Sequence, residues 1–124
     1  MPKVMLVEDD KTMLTLLSTL LKMEGFQIVQ LTTEQTVEDL ITTLRREKPD
    51  GALVDVHLQH ASGIDLVTRV RQDPEINTLR ILMTSGLDAS VECKRAGAND
   101  FILKPYMPDE LIQRIRRVLK NEPS

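Results

Sequence analysis

The chain has 124 residues, of which 41% are hydrophobic and 28% charged, a balance typical of one ordinary globular domain and not of a disordered chain. Its net charge of -3 argues against nucleic acid as a direct partner of the domain, because phosphate binding needs a clustered excess of Lys and Arg. Aromatic residues make up only 2% of the chain, too few for a platform on which single-stranded nucleic acid could stack.

The first half of the chain alternates short apolar runs with segments of helical period. Residues 4–7 predict a buried strand that begins too early to leave room for a signal peptide. No apolar run is long enough to span a bilayer, so we expect a cytoplasmic protein without a membrane partner. A helix ending at Gly25 and a second strand over residues 26–31 follow. The buried stripe predicted for that helix is Met13, Leu16, Leu17, Leu20 and Leu21.

The second predicted helix opens at a capping-box pattern, Thr32 with Gln35, and is broken at residues 49–51. A third strand over residues 52–54 then ends at Asp55. Ser62 is a plausible N-cap for a third helix that ends at residues 73–74. The stripes predicted for these two helices are Val37, Leu40, Ile41 and Leu44, and Ile64, Val67 and Val70.

The last part of the chain predicts two more strands and two more helices. Residues 81–83 and 101–103 are apolar runs, with a short helix over residues 89–96 between them. That helix contains Cys93, the one cysteine of the chain, which excludes an internal disulfide and a multi-cysteine zinc site. Pro108 begins the final helix, whose predicted stripe is Leu111, Ile112, Ile115, Val118 and Leu119.

Five apolar strands alternating with five helices predict a doubly wound α/β fold with a parallel sheet covered on both faces. Four of the five strands run directly into polar residues, and the carboxyl ends of parallel strands meet at one edge of the sheet, where ligands bind. We therefore expect one crevice formed by residues 8–10, Asp55, residues 84–85 and Lys104.

This set of groups points to phosphoryl chemistry. Crowded carboxylates favour a hard cation such as Mg²⁺, which takes oxygen ligands and keeps several waters. Lys104 and Ser85 are donors suited to phosphoryl oxygens. An acidic side chain in the centre of such a site can itself act as the nucleophile and form an aspartyl phosphate.

The ordered set of motifs resembles the receiver domain of bacterial two-component response regulators over essentially the whole chain. The resemblance implies a flavodoxin-like (βα)5 fold with strand order 2-1-3-4-5, a receiver domain over residues 1–120, and a tail or linker start over residues 121–124. The motifs that carry it are Leu6-Val7-Glu8-Asp9-Asp10, Leu53-Val54-Asp55, Thr84-Ser85-Gly86, Ala96-Gly97-Ala98-Asn99-Asp100-Phe101 and Lys104-Pro105.

The resemblance also implies roles for individual residues. Asp55 would be the phosphoacceptor, Ser85 the switch hydroxyl and Lys104 the lysine that pairs with the phosphate. Asp9 would bind Mg²⁺ directly and Glu8 mainly through water, and the backbone carbonyl of His57 would be a further ligand beside Asp55. Phe101 would be the switch aromatic, turning inward from a partly exposed rotamer, and a cis peptide would join Lys104 to Pro105.

The implied partners are a sensor histidine kinase or a histidine phosphotransfer protein upstream, and a downstream protein or a fused output domain. The domain would catalyse only its own phosphorylation and dephosphorylation. Two alternatives remain open: a Mg²⁺-dependent phosphatase of the aspartyl-phosphate type, and a docking module that is not phosphorylated. His57 argues against the phosphatase, which usually has an Asp two residues after the nucleophile.

Three departures from the family pattern, and one ambiguous residue, carry further expectations. Gln59 stands where many receivers have proline, so we expect a less rigid loop after Asp55. His57 replaces a commoner apolar or small residue. The stretch from Ser85 to Lys104 is about one helical turn shorter than usual. Asp10 is as good a helix N-cap as a metal ligand, and we leave it outside the metal shell.

Overall fold

The computed structural model describes residues 1–30 and 36–120, which form five strands and five helices. The strands are β1 (Lys3–Val7), β2 (Gln27–Gln30), β3 (Gly51–Asp55), β4 (Arg80–Ser85) and β5 (Asp100–Leu103). The helices are α1 (Lys11–Met23), α2 (Val37–Glu47), α3 (Gly63–Arg71), α4 (Ser90–Ala96) and α5 (Pro108–Leu119). Within the described part, none of these helices is long and apolar enough to cross a membrane.

The strands form one parallel sheet in the order β2-β1-β3-β4-β5, which confirms the predicted flavodoxin-like fold. The interior positions of the central strands are apolar because helices cover both faces of the sheet. Alternate residues of each strand therefore enter two separate cores. Met5, Val54 and Met83 belong to the core beneath α2, α3 and α4. Leu6, Leu53 and Leu82 belong to the core beneath α1 and α5.

Side-chain caps fix where several helices begin. The Asp10 carboxylate accepts from the Met13 amide, and the Ser62 hydroxyl accepts from the Asp65 amide. Asp10 is thus an N-cap, as one of its two readings predicted, and the N-cap expected at Ser62 is confirmed. At the other end of a helix, Gly97 ends α4 with a φ of 114°, a left-handed conformation that favours glycine.

Two helix predictions need correction. Leu16 was expected to be buried, but it is 62% exposed, and Leu14 is buried in its place. Leucines occupy so much of α1 that apolar spacing alone could not choose its buried face. The start of α2 also differs, because its capping box joins Thr36 to Asp39 and the helix begins at Val37. The predicted pair Thr32 and Gln35 lies outside the described residues, as do the last residue of the predicted second strand and residues 121–124.

Candidate functional site

One ammonium group joins two carboxylates at the carboxyl edge of the sheet. Glu8 follows β1, Asp55 ends β3 and Lys104 follows β5, so the strand order brings three distant stretches of the chain together. Lys104 Nζ lies 2.7 Å from Asp55 Oδ2 and 3.1 Å from Glu8 Oε1. Both carboxylate side chains are only 10% exposed, so this is a largely desolvated charge cluster.

Burial and charge act on these groups in opposite directions. Burial raises the pKa of the Glu8 carboxyl above its ordinary value. The hydrogen bond from Lys104 lowers this pKa, and the negative charge of Asp55 raises it further. Burial alone would lower the pKa of Lys104, but the hydrogen bonds and charges of Asp55 and Glu8 together raise it. Lys104 therefore stays cationic across the neutral range, balancing the two acids.

The loop after Asp55 is held by backbone amides. His57 N donates to Asp55 Oδ1 at 2.9 Å, and Gln59 N donates to Asp9 Oδ2. We expected Gln59 to loosen this loop where a proline would stiffen it. The Gln59 amide makes a contact with Asp9 that proline, which has no N–H, could not make, and the rigidity of the loop stays a prediction. The His57 side chain itself is exposed.

Gly63 is a part of the site that sequence reasoning missed. Its Cα packs so closely against the Asp55 carbonyl that any side chain there would collide with the backbone of β3. The Gly63 amide also donates to the Val56 carbonyl at 2.9 Å. The signal in the sequence was the Ser62-Gly63 pair, an N-cap followed by a residue without a side chain.

Ser85 ends the neighbouring strand and connects the site to the next loop. Its side chain is 1% exposed, and its hydroxyl accepts from the Leu87 amide at 3.1 Å. The Ser85 carbonyl accepts from the Lys104 amide at 2.8 Å, which ties β4 to the residue after β5. The peptide bond between Lys104 and Pro105 is cis, as expected.

Phe101 faces the core, which suits a switch residue that also packs inward, whereas the predicted turn would start from a partly exposed rotamer. The side chain is only 9% exposed and belongs to the core beneath α2, α3 and α4. Phe101 pairs in register with Met83, and the small residues Ala89, Ala96 and Ala98 border the same core, so the ring finds room there. In this structure the ring already occupies the inward position.

A known protein family matches most of this sequence. The family model of the response regulator receiver domain matches residues 4–116, nearly the whole chain.

The chain belongs to the response regulator receiver family.

Two curated relatives illustrate how much of a longer protein this receiver domain matches. The phosphate regulon transcriptional regulatory protein PhoB of Rhizobium meliloti (strain 1021) is 32% identical over 123 residues, which are 97% of this chain and 53% of that protein. The transcriptional regulatory protein CpxR of Escherichia coli (strain K12) is 31% identical over 120 residues, 97% of this chain and 50% of that protein. The chain thus spans about half the length of the curated relatives it matches.

Solved structures share the fold of the receiver domain. A response regulator from Chloroflexus aurantiacus J-10-fl superposes with a TM-score of 0.87 at 31% identity, covering 96% of this chain and 98% of that chain. The receiver domain of the sensor histidine kinase PA1611 from Pseudomonas aeruginosa PAO1 superposes with a TM-score of 0.83 at 22% identity, covering 96% and 98%. The latter is described with a magnesium ion coordinated in its active site cleft, and at this identity the likeness shows the fold alone.

The donor set of this receiver fits a hard cation that keeps part of its water shell. Glu8 and Asp9 are adjacent, and Asp9 is hydrogen-bonded to the loop that follows Asp55, so carboxylate oxygens from two strand ends face one crevice. Across residues 1–30 and 36–120, however, no three His, Cys, Asp or Glu side chains enclose a ready-made metal cage. Such a set suits Mg²⁺, which binds through one or two carboxylates and several waters.

Proposed function

We propose that this receiver domain accepts a phosphoryl group on Asp55 from a phosphohistidine of a sensor histidine kinase or a histidine phosphotransfer protein. The observation that carries the proposal is the 2.7 Å salt bridge between Lys104 and Asp55 at the carboxyl edge of the sheet. An Asp55 oxygen acting as the nucleophile would have beside it the cation that neutralises an incoming phosphoryl group. The match of the family model to residues 4–116 supports the same reading.

In the proposed reaction, an Asp55 oxygen forms a bond to phosphorus while the bond from phosphorus to the donor imidazole breaks. The electron pair of the broken bond stays on the imidazole nitrogen, and a proton already on the ring or taken up from solvent leaves the imidazole neutral. A carboxylate needs no general base to attack, so the chain contributes position and charge. Lys104 would move its hydrogen bond from Asp55 to a phosphoryl oxygen, and Ser85 would donate to another.

Mg²⁺ would be held by Asp9 and Asp55 directly, by Glu8 through water, and by the backbone carbonyl of His57. When bound, the ion supplies positive charge that offsets the charge of the transferring phosphoryl group. Glu8 is already part of the charge cluster through Lys104, which supports an indirect role for it. The magnesium described in the receiver of PA1611 is a precedent within the fold.

Ser85 and Phe101 would carry the signal out of the site. A phosphoryl oxygen would accept the proton of the Ser85 hydroxyl, and drawing that hydroxyl inward would lengthen the bond that it accepts from the Leu87 amide. Phe101 pairs in register with Met83, two residues before Ser85 on β4, and would adjust its rotamer when Ser85 moves. One charge-assisted hydrogen bond is worth roughly 1.5–3 kcal/mol, enough to shift a two-state population about ten- to a hundredfold.

The receiver unit would comprise residues 1–120, with residues 121–124 as its tail or the start of a linker. Its output would be a downstream protein or a fused domain, in line with the transcriptional regulatory proteins among its relatives. The domain itself would contact neither nucleic acid nor membrane, would work in the cytoplasm, and would turn over only its own acyl phosphate.

The experiment is intact-mass spectrometry after incubation with acetyl phosphate and Mg²⁺. We expect one added phosphoryl group, no addition with EDTA, and none in Asp55→Asn. Asp65→Asn, which changes an exposed acid on α3, is the matched control and should be labelled like the wild type. Labelling of Asp55→Asn at the wild-type rate would exclude the assignment, and multiple turnover of a phosphomonoester would favour a phosphatase.

A further inference from the structure

The two ends of α4 are held very differently. At its N-terminal end, the N-cap residue Ala89 makes no side-chain capping bond, and the approach runs through Leu87, whose amide donates to Ser85. Asp88 accepts from the amide and the hydroxyl of Ser90, which are contacts within the same short turn. The N-terminal end is therefore connected to the site by the Leu87–Ser85 hydrogen bond, and to the core by Ala89.

The C-terminal end of α4 is held by a side chain from another helix. Arg71, at the end of α3, donates from Nε to the Gly97 carbonyl at 2.8 Å. The same guanidinium donates from one terminal nitrogen to the carbonyls of Asn77 at 3.0 Å and Leu79 at 2.6 Å. The third nitrogen donates to Asn99 Oδ1 at 3.0 Å. One half-buried side chain thus ties α3 to the segment before β4 and to the segment after α4.

Asn99 completes this network. Its side-chain Oδ1 accepts from Arg71 and also from the Ile81 backbone amide at 2.7 Å. The Asn99 backbone amide donates to the Ile81 carbonyl at 2.9 Å. The residues that follow α4 are therefore fixed to the first residues of β4, at the end of the sheet away from Asp55. The network consists of the Arg71 guanidinium, the Asn99 side-chain amide and backbone groups.

Gly97 fits this network for two reasons. Its φ of 114° is strained for any residue with a side chain. A Cβ on Gly97 would also lie 2.6 Å from Arg71 Cγ, so the guanidinium stem occupies the space that a side chain would need. Between the two ends, Cys93 is the one fully buried residue among the seven of α4, and Ala96 packs against the same core at the C-terminal end.

We infer that Arg71 and Asn99 form a pivot at Gly97, about which α4 turns when the Ser85 hydroxyl is drawn inward. This inference rests on the proposed function, because it takes the change at Ser85 from phosphorylation of Asp55. The N-terminal end of α4 moves with the Leu87 amide, whereas the C-terminal end stays fixed to α3 and β4. Arg71 is a positioning residue in this device and touches no part of the reacting centre.

The resting protein provides the first test, by amide hydrogen exchange. Arg71→Met removes the donors and keeps an apolar stem, and it should speed the exchange of the Gly97 and Ala98 amides about tenfold or more. Asn99→Asp keeps an acceptor for both Arg71 and Ile81 and should preserve wild-type exchange, whereas Asn99→Ala should behave like Arg71→Met. Arg69→Met, the same change on the exposed face of α3, is the matched control.

The second test follows amide chemical shifts when beryllofluoride and Mg²⁺ are added as a phosphoryl mimic. In the wild type, the changes should be large from Leu87 to Glu92 and small from Lys94 to Ala98. In Arg71→Met and Asn99→Ala, they should extend through Ala98, and Asn99→Asp should restore the wild-type gradient. Asp at position 99 keeps the oxygen that accepts from Arg71 and Ile81, and Ala does not. A wild-type gradient in Asn99→Asp but not in Asn99→Ala therefore assigns the effect to these hydrogen bonds and not to a general loss of stability.

Two contrary results are distinguishable. If the amides of Val56 and His57 do not respond to the mimic, the proposed function fails and the pivot falls with it. If those amides respond but the wild type shows equal changes along the whole of α4, or if Arg71→Met keeps the wild-type gradient, only the pivot is wrong. Should Arg71→Met not fold, Asn99→Ala provides the same comparison.

Discussion

Lys104 is the residue on which the electrostatics of the site depend. Its ammonium contacts Asp55 and Glu8, whose side chains are both nearly buried. Without Lys104, two desolvated carboxylates would face each other with no cation between them. The same two acids belong to the proposed Mg²⁺ site, so the lysine and the ion neutralise the same charge.

The substitution Lys104→Met should lower the free energy of unfolding by about 1–3 kcal/mol, because it leaves two largely buried carboxylates without their partner. Mg²⁺ should restore more stability to this variant than to the wild type, since the cation replaces the missing charge. Thermal unfolding with and without Mg²⁺ measures both effects. Lys94→Met, at an exposed position, is the control, and an equal Mg²⁺ response in all three proteins would contradict the argument.

Cys93 gives a pH-dependent prediction. Burial raises the pKa of its thiol from the ordinary value of 9.0 to about 11, with a smaller contribution from Glu92. Because the folded protein disfavours the thiolate, the unfolded chain ionises first, and stability is lost as the pH rises from 9.0 towards about 11. Urea unfolding at pH about 8 and about 10.5 should show a loss about 2 kcal/mol larger in the wild type than in Cys93→Ala. Equal losses would show that the thiol does not titrate as described.

Individual site residues could be predicted because strand ends in a parallel sheet share one edge. That rule, applied to Glu8, Asp55 and Lys104, needs no side-chain detail. Gly63 and the Leu87 amide could not be found in this way, because one acts by lacking a side chain and the other through its backbone. The inward position of Phe101 depends on space left by small neighbours in three dimensions, which spacing along the chain does not show.

Among the elements, the loop from β4 to α4 responds most directly to the site. The Ser85 hydroxyl accepts from the Leu87 amide in this structure, so any group that draws the hydroxyl away releases that amide. The loop then leads into α4, which has no side-chain cap at its start. The coupling between the site and the helix is therefore the position of one hydroxyl, which accepts from the Leu87 amide and would donate to a phosphoryl oxygen.

The substitution Ser85→Ala should abolish this coupling, because it removes the hydroxyl that joins the Leu87 amide to the site. We expect beryllofluoride and Mg²⁺ to change the Leu87 amide shift much less in Ser85→Ala than in the wild type, while Mg²⁺ binding stays nearly intact. Ser85→Thr keeps the hydroxyl and should preserve the response. Equal shift changes in Ser85→Ala and wild type would show that the hydroxyl is not the coupling group.

Helix positions were predictable to different degrees for a physical reason. In α5, apolar and charged residues alternate sharply, and the predicted stripe is buried except for the partly exposed Leu119. In α1, leucines occur on several faces, so the choice between Leu14 and Leu16 is made by packing against the sheet. The start of α2 at Thr36 depends on a reciprocal bond with Asp39, and the neighbouring pair Thr32 and Gln35 offered a similar pattern.

For the whole molecule, the alternation of apolar runs with helical segments was enough to predict a doubly wound sheet. Alternation does not determine the strand order, which the resemblance to receivers implied and the structure confirmed. The order matters for function because β1 and β3 are neighbours, and they bring Glu8 and Asp55 to Lys104. The pivot opposite the site uses the other end of the same sheet, so both ends of β4 take part in the proposed switch.

The central claim is that Asp55 itself becomes phosphorylated, and locating the phosphoryl group on the chain tests it most directly. Protein treated with acetyl phosphate and Mg²⁺ is reduced with borohydride, which converts an aspartyl phosphate to homoserine, and its peptides are then sequenced by mass spectrometry. We predict homoserine at position 55 and at no other position, with none in samples treated with EDTA. Homoserine at Asp9 instead, or a stable phosphoryl group on Ser85, would contradict the account.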